Sequence, residues 1–476
     1  MAAAPPQPLE FHFDPMGTTE ALERYCPGGY HPVVIGDMFD SRPGLAPPER
    51  RYRVLNKLGF GSYATVWLAR DVRSDTFVAL KITTADSGAQ EAREARMLEK
   101  LAAGETEPSR HVLSLLEHFT VDGPNGSHHV LVTDVVLPVL SIPKTSMGPG
   151  WRKAAARDLV LGVAHMHRRG VKHGDLHLGN LGCAMPELVS QEEDDVIQDL
   201  SPYDLTIVLP RDPSAQTSSL PPYVVPPCDL GRYWERIHSP DTLPDVKILD
   251  FGNAREADEP AGDLQCAVEA CAPEVAFARV AQGASSPEWG PPSDVWAVGA
   301  TIYELVAGSS LFYGVGLAEG LLGRMATLAE AVPPQWQPYW HSRPRLRQAD
   351  ISAQAAEREW ERRRAILRKG CADDADADRL VQLLRRMLVL EPEKRPRIED
   401  VLRDRWFQDG KHRKMILAKI LTTDAAHSTW PQAPDSTVWI SLPLSRVAYS
   451  QFLVSRSALC ISRSDGTQCN WAQTAL

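Results

Sequence analysis

The stretch His173-Gly-Asp-Leu-His-Leu-Gly-Asn180, read together with Asp250-Phe-Gly252 further along, decides what kind of molecule this chain is. The D-x-x-x-x-N spacing sets a carboxylate, Asp175, beside a carboxamide, Asn180. Asp175 is placed to take or orient the proton of an attacking hydroxyl, and Asn180 to hold a metal ion. Asp250 follows the apolar run Val-Lys-Ile-Leu and can chelate a metal that bridges two phosphates. Taken alone, each tripeptide is an ordinary strand-end turn; their order along the chain carries the meaning.

Phosphoryl transfer asks a protein to cradle a triphosphate, to hold magnesium against it and to orient an acceptor hydroxyl. Upstream, Leu58-Gly-Phe-Gly-Ser-Tyr-Ala-Thr-Val66 lies between two β-like runs. Gly59 and Gly61 let backbone approach phosphate without a Cβ in the way, although Ala64 stands where a third glycine is usual. Lys81 closes the apolar strand Thr-Phe-Val-Ala-Leu-Lys, and Glu94 on the following helical stretch is best placed to fix its ammonium. Strand placement puts Val66 and Ala79 against an adenine ring, Asp134 to Val136 at the hinge and Thr133 at the gatekeeper position. Downstream come Ala272-Pro-Glu274, the helical Ser-Asp-Val-Trp run from Ser293, and Glu-Pro-Glu-Lys-Arg-Pro from Glu391. An ion pair of Glu274 with Arg395 and a brace from Asp294 to the catalytic loop are expected. The implied cofactors are ATP and Mg2+, with Asn180 and Asp250 as metal ligands.

In this order the motifs resemble those of protein kinases. That implies an α+β, bilobal fold with a small β-rich N-lobe at about 49–136 and a larger helical C-lobe at about 137–407. The chain before residue 49 reads as an irregular lead-in, 183–245 as a prolyl, acidic and partly disordered insertion, and 408–476 as a tail of no clear periodicity. Tyr25-Cys-Pro-Gly-Gly-Tyr-His-Pro-Val-Val-Ile-Gly-Asp37, Asp-Phe-Gly-Asn-Ala254 and the insertion after the catalytic loop resemble the serine/arginine-rich protein kinases in particular. The resemblance implies transfer to serine in basic, Arg-Ser-rich proteins of RNA processing, in cytoplasm and nucleus; a monomer that binds neither nucleic acid nor membrane directly is expected. The alternative is an ATP-binding scaffold with little catalysis.

Several positions depart from the pattern. His177 stands where the family carries a lysine, and an imidazole is not a full-time cation at pH 7. Ala267 replaces a threonine and is expected to leave Asp175 without that hydrogen bond. Gly174 replaces the arginine that receives a phosphorylated activation loop in many kinases, and no Ser, Thr or Tyr lies between Phe251 and Glu274. The same segment carries Glu256, Asp258, Glu259, Asp263 and Glu269 against Arg255, an expected acidic rim for an arginine-rich substrate. A net charge of −10 argues against a nucleic-acid binder. The cysteines show no CxxC pair, which argues against zinc and a disulfide framework. The start of the chain lacks a basic segment followed by an apolar run, and no stretch of about 18 apolar residues suggests a membrane span. A soluble intracellular protein is expected. The tail's Ser-Arg-Ser runs at Ser455 and Ser462 read as chance composition.

Overall fold

Runs rich in Val, Ile, Leu and aromatic residues, broken by turn residues, build an antiparallel sheet. Its strands are β1 (Met38–Asp40), β2 (Arg50–Phe60), β3 (Ala64–Asp71), β4 (Thr76–Thr83), β5 (Leu115–Gly123) and β6 (Gly126–Thr133), in the order β1-β2-β3-β4-β6-β5. The computed structural model describes residues 9–408 apart from 14, 16, 41–49, 104–109, 201–203, 239–241, 261–263, 265, 285–286 and 315–317, with no side chains at 87–91. The tail expectations and Asp263 lie outside the described residues.

The inner strands are apolar on both faces because both faces are covered. Helix α1 (Gly88–Ala102) lays Met97, Leu98 and Leu101 on one face, against Leu68 and Phe77. Val33 and Phe39 from the lead-in and Val225 from the insertion cover Trp67, Leu80 and Val132 on the other. The lead-in is therefore not merely irregular: it supplies β1, and Tyr25 and Tyr30 are buried in it. Its pattern hid this because glycine turns, rather than a periodic run, seat those residues.

The C-lobe is built on α2 (Pro149–Arg168) and the later helices. A small sheet in the order 246–248, 181–184, 136–138 carries the site on its loops. Cys183 and Ala184, expected at the start of the insertion, complete its middle strand. The inserted chain then forms α3 (Glu193–Leu200), a short antiparallel pair at 206–207 and 223–224, and α4 (Leu230–Ile237), so its described part is ordered. Glu193 at the start of α3 pairs with Arg53 of β2 at 2.7 Å, which ties the insertion to the N-lobe. Beyond α5 (Pro273–Gln282) runs α6 (Pro291–Ala307), apolar on nearly all sides and correspondingly buried. Every cysteine among the described residues is free, and no described helix is long and apolar enough to cross a membrane.

Candidate active site

Strand register brings the nucleotide-side residues together. Val66 of β3 pairs with Lys81 of β4, Lys81 with Leu131 of β6, and Ala79 with Thr133. Val66, Lys81, Ala79 and Thr133 thus share one patch of sheet beneath the β2–β3 turn. That turn is closed by the Gly61 N–H donating to Ala64 O at 2.8 Å. A Cβ added at Gly59 or Gly61 would meet nothing within 4 Å, so open space adjoins the loop on that side, where a phosphate cradle needs it. Leu58 is half-buried against the core at the loop's start. Lys81 Nζ lies 2.7 Å from Glu94 and 3.2 Å from Asp250. Burial opposes the ammonium's charge, but the Asp250 and Glu94 carboxylates outweigh it and raise the lysine's pKa.

The hinge holds a residue that spacing alone did not single out. Asp134 is paired with Lys247 at 3.0 Å, and its N–H donates to Ser114 O. Lys247 belongs to the strand that delivers Asp250, so hinge and metal-side turn are tied through one side chain. The signal was visible in Val-Lys-Ile-Leu, a cation inside an apolar strand that needs a partner.

Asp250 adopts φ +57°, in the left-handed region that non-glycine residues rarely enter. Its neighbours hold it there: Phe251 is fully buried edge-on to His173 at 5.0 Å, and His173 Nε2 lies 3.0 Å from Leu249 O. Asp294 on α6 accepts from the His173 and Gly174 N–H groups at 2.9 Å each, and His167 Nε2 lies 3.0 Å away, so the expected brace is present. At Gly174 a Cβ would come within 2.8 Å of Leu264 and Trp289, and φ is +83°. An arginine cannot replace this glycine without moving both neighbours.

Asp175 and Asn180 meet as their spacing implied. Asn180 Nδ2 donates to Asp175 O at 2.9 Å, which leaves the carboxamide oxygen as an acceptor. Asn180 and Asp250 together offer the oxygen donors that a hard divalent cation takes. The expectation for Ala267 is overturned in its consequence: its backbone N–H donates to Asp175 Oδ1 at 3.0 Å. A residue type cannot reveal a main-chain donor. His177 accepts from Gly179 N–H through Nδ1 at 3.1 Å, so the neutral ring carries its proton on Nε2, 3.8 Å from Asp175 Oδ2. Burial pushes the Asp175 carboxyl up, against the opposing pull of His177 and the Ala267 N–H.

Glu274 and Arg395 form the expected pair, bidentate at 2.7 and 2.9 Å, with the arginine side chain fully buried and Ser293 also donating to Glu274. The acidic rim needs correction. Glu256 pairs with Lys100 of α1, and Glu259 with Arg255 and Arg96, so these charges are already answered. Asp258 and Glu269 remain exposed. Glu304 of α6 lies within reach of the Glu269 charge. Burial first, and then Glu269, push the Glu304 carboxyl up.

The chain matches the family model described as "Protein kinase domain" over residues 52–188 and 238–407, leaving most of the insertion unmatched. It is 27% identical over 406 residues to a serine/threonine protein kinase of Aspergillus fumigatus, covering 81% of this chain and 90% of that one. It is 26% identical to the serine/threonine-protein kinase SRPK of Physarum polycephalum, covering 82% and 91%. Over 175 residues it is 37% identical to the serine/threonine-protein kinase SKY1 of Saccharomyces cerevisiae, covering 34% of this chain and 22% of that one.

Proposed function

Because this chain belongs to the protein kinase domain family and is a serine/threonine kinase of the SR protein kinase type, we propose that it transfers the γ-phosphate of ATP, bound with Mg2+, to serine in basic, Arg-Ser-rich RNA-processing proteins. The convergence of the Lys81–Glu94 pair, Asp250, Asn180 and Asp175 on one cleft carries the phosphotransfer reading. Lys81 meets the α and β phosphates, and Glu94 keeps its ammonium in place. Asp250 and Asn180 would hold Mg2+, which would neutralise charge on the phosphates when bound. Asp175 receives the proton as the serine oxygen bonds to the γ-phosphorus and the bond to the β-phosphate oxygen breaks, leaving ADP. The Ala267 N–H orients that carboxylate from behind, so the missing threonine does not by itself favour a scaffold.

The acceptor class is supported by Glu269 and Glu304. Glu269 is exposed two residues after Ala267, whose N–H holds Asp175, and with Glu304 of α6 it offers carboxylates for an incoming guanidinium to pair with. Kinetics on matched serine peptides flanked by arginine or by glutamate test this, with the double variant Glu269→Gln/Glu304→Gln alongside. The KM for the arginine peptide should rise roughly tenfold to a hundredfold, since hydrogen bonds to charged groups are lost, with the KM for ATP unchanged. An unmoved peptide KM would remove the acceptor reading.

A further inference from the structure

The motif at Tyr25–Asp37 supplies none of the catalytic side chains, yet Tyr30 within it and Arg24 just before it reach the nucleotide cradle. Tyr30 Oη donates to Gly61 O at 2.7 Å, and Arg24 Nη1 donates to Ser62 O. These are consecutive carbonyls at the tip of the glycine loop. The Arg24 guanidinium also lies over the Tyr30 ring, 4.9 Å from its centroid, so the two donors brace each other.

The glycines of the motif make this reach possible. Gly28 sits at φ +88°, and a Cβ at Gly29 would fall 1.8 Å from Arg24 O. The chain turns so tightly there that Tyr30 N–H bonds back to Arg24 O at 2.9 Å, which places both side chains on the loop. The turn is anchored on several sides. Gly28 N–H donates to Asn125 O in the β5–β6 hairpin, and Asn125 Nδ2 donates to Tyr30 O. The Ala85 and Asp86 N–H groups, at the entrance to α1, donate to Gly29 O and Gly28 O. Immediately before the loop, Lys57 of β2 forms a fully buried ion pair with Glu20 at 2.7 Å, and Tyr25 also donates to that carboxylate.

We infer that 20–30 is a built-in clamp, in which Arg24 and Tyr30 are positioning residues that hold the glycine loop for nucleotide. Because the clamp also bonds the entrance to α1, the helix carrying Glu94, it constrains both walls around Lys81. A loop held in advance loses less conformational entropy when nucleotide binds, so affinity is gained without a new contact to the ligand. Such pre-organisation also gives the N-lobe a fixed geometry that does not depend on a phosphorylated activation segment, which here has no hydroxyl to modify.

The inference rests on the glycine loop being the nucleotide cradle but not on the acceptor class, so the probe is ADP. Calorimetric ADP affinity, thermal midpoint and amide exchange are compared for the full chain, Tyr30→Phe and Arg24→Ala; both variants spare the buried Lys57–Glu20 pair. Each variant should bind ADP roughly threefold to tenfold more weakly, the worth of a hydrogen bond. Exchange should quicken at 60–63, with the thermal midpoint kept. Wild-type affinity in both variants would overturn the clamp. So would weakened binding accompanied by a lowered midpoint and faster exchange throughout β2 to β4, because that is a structural role only. If the unmodified chain itself fails to bind ADP, the cradle reading falls first and the clamp with it.

Discussion

The two sides of the cleft solve positioning differently. On the nucleotide side the side chains are those the chemistry demands: Lys81 with Glu94, then Asp250 and Asn180. On the acceptor side the expected lysine, threonine and arginine are His177, Ala267 and Gly174. There the chain substitutes main-chain and packing contacts, with the Ala267 N–H on Asp175, Asp294 on the loop's own amides, and Leu264 and Trp289 filling the space beside Gly174. A triphosphate and its metal need particular charges at particular points, and only particular side chains supply them. Orienting one carboxylate needs only a donor in the right place, which any residue but proline carries on its backbone.

That contrast can be broken most severely on the nucleotide side. Asp250→Asn removes the proposed metal donor and a partner of Lys81 together, and is expected to lower kcat on the order of 10²–10⁴ in steady-state assays. On the acceptor side, Ala267→Pro deletes the N–H that holds Asp175 and should lower kcat roughly tenfold to a hundredfold. Retained ADP affinity would show that the loss is local; an unchanged kcat would mean the main-chain bond does not stand in for the threonine. Ala267→Thr should then alter kcat by no more than about twofold, because the carboxylate is already held. The smallest effect is expected from phosphatase treatment, which should leave activity unchanged, since no hydroxyl lies between Phe251 and Glu274. A large loss would place a required phosphate elsewhere.

The pH profile sharpens the same comparison. Asp175 must be ionised to take a proton, and burial raises its pKa. Activity should therefore fall as pH drops through a value above the ordinary carboxylate range, about 3.9 for aspartate. An acid limb in the ordinary range would mean that burial does not govern this carboxyl.

Most of the site's charged and metal-side residues were legible because they are identified by type and order. Lys81, Glu94, Asp175, Asn180 and Asp250 fall together as spacing implied, and the Glu274–Arg395 pair closes the C-lobe. What stayed hidden has physical reasons. Ala267 acts through an atom that every non-proline residue has. The acidic rim looked open because its cations, Lys100 and Arg96, come from α1, far earlier in the chain. The lead-in looked irregular because its seat depends on Gly28 and Gly29 allowing one tight turn, which leaves no period to read. The insertion's helices are short and bury Val196, Leu230 and Trp234 in the main core, while Val208, Leu220 and Val224 between them pack on the lead-in, and all of these contacts are tertiary rather than local.

In this reading the cleft moves phosphate, with Asp175 as its base and an arginine-flanked serine as its acceptor. Transfer of radiolabelled phosphate from MgATP to an Arg-Ser repeat peptide, by the full chain and by Asp175→Asn, tests it most directly. Transfer should fall at least about a hundredfold in the variant, while both proteins bind ADP equally. Tight ADP binding with no transfer by the unmodified chain, to that peptide or to a panel of basic proteins, would contradict it.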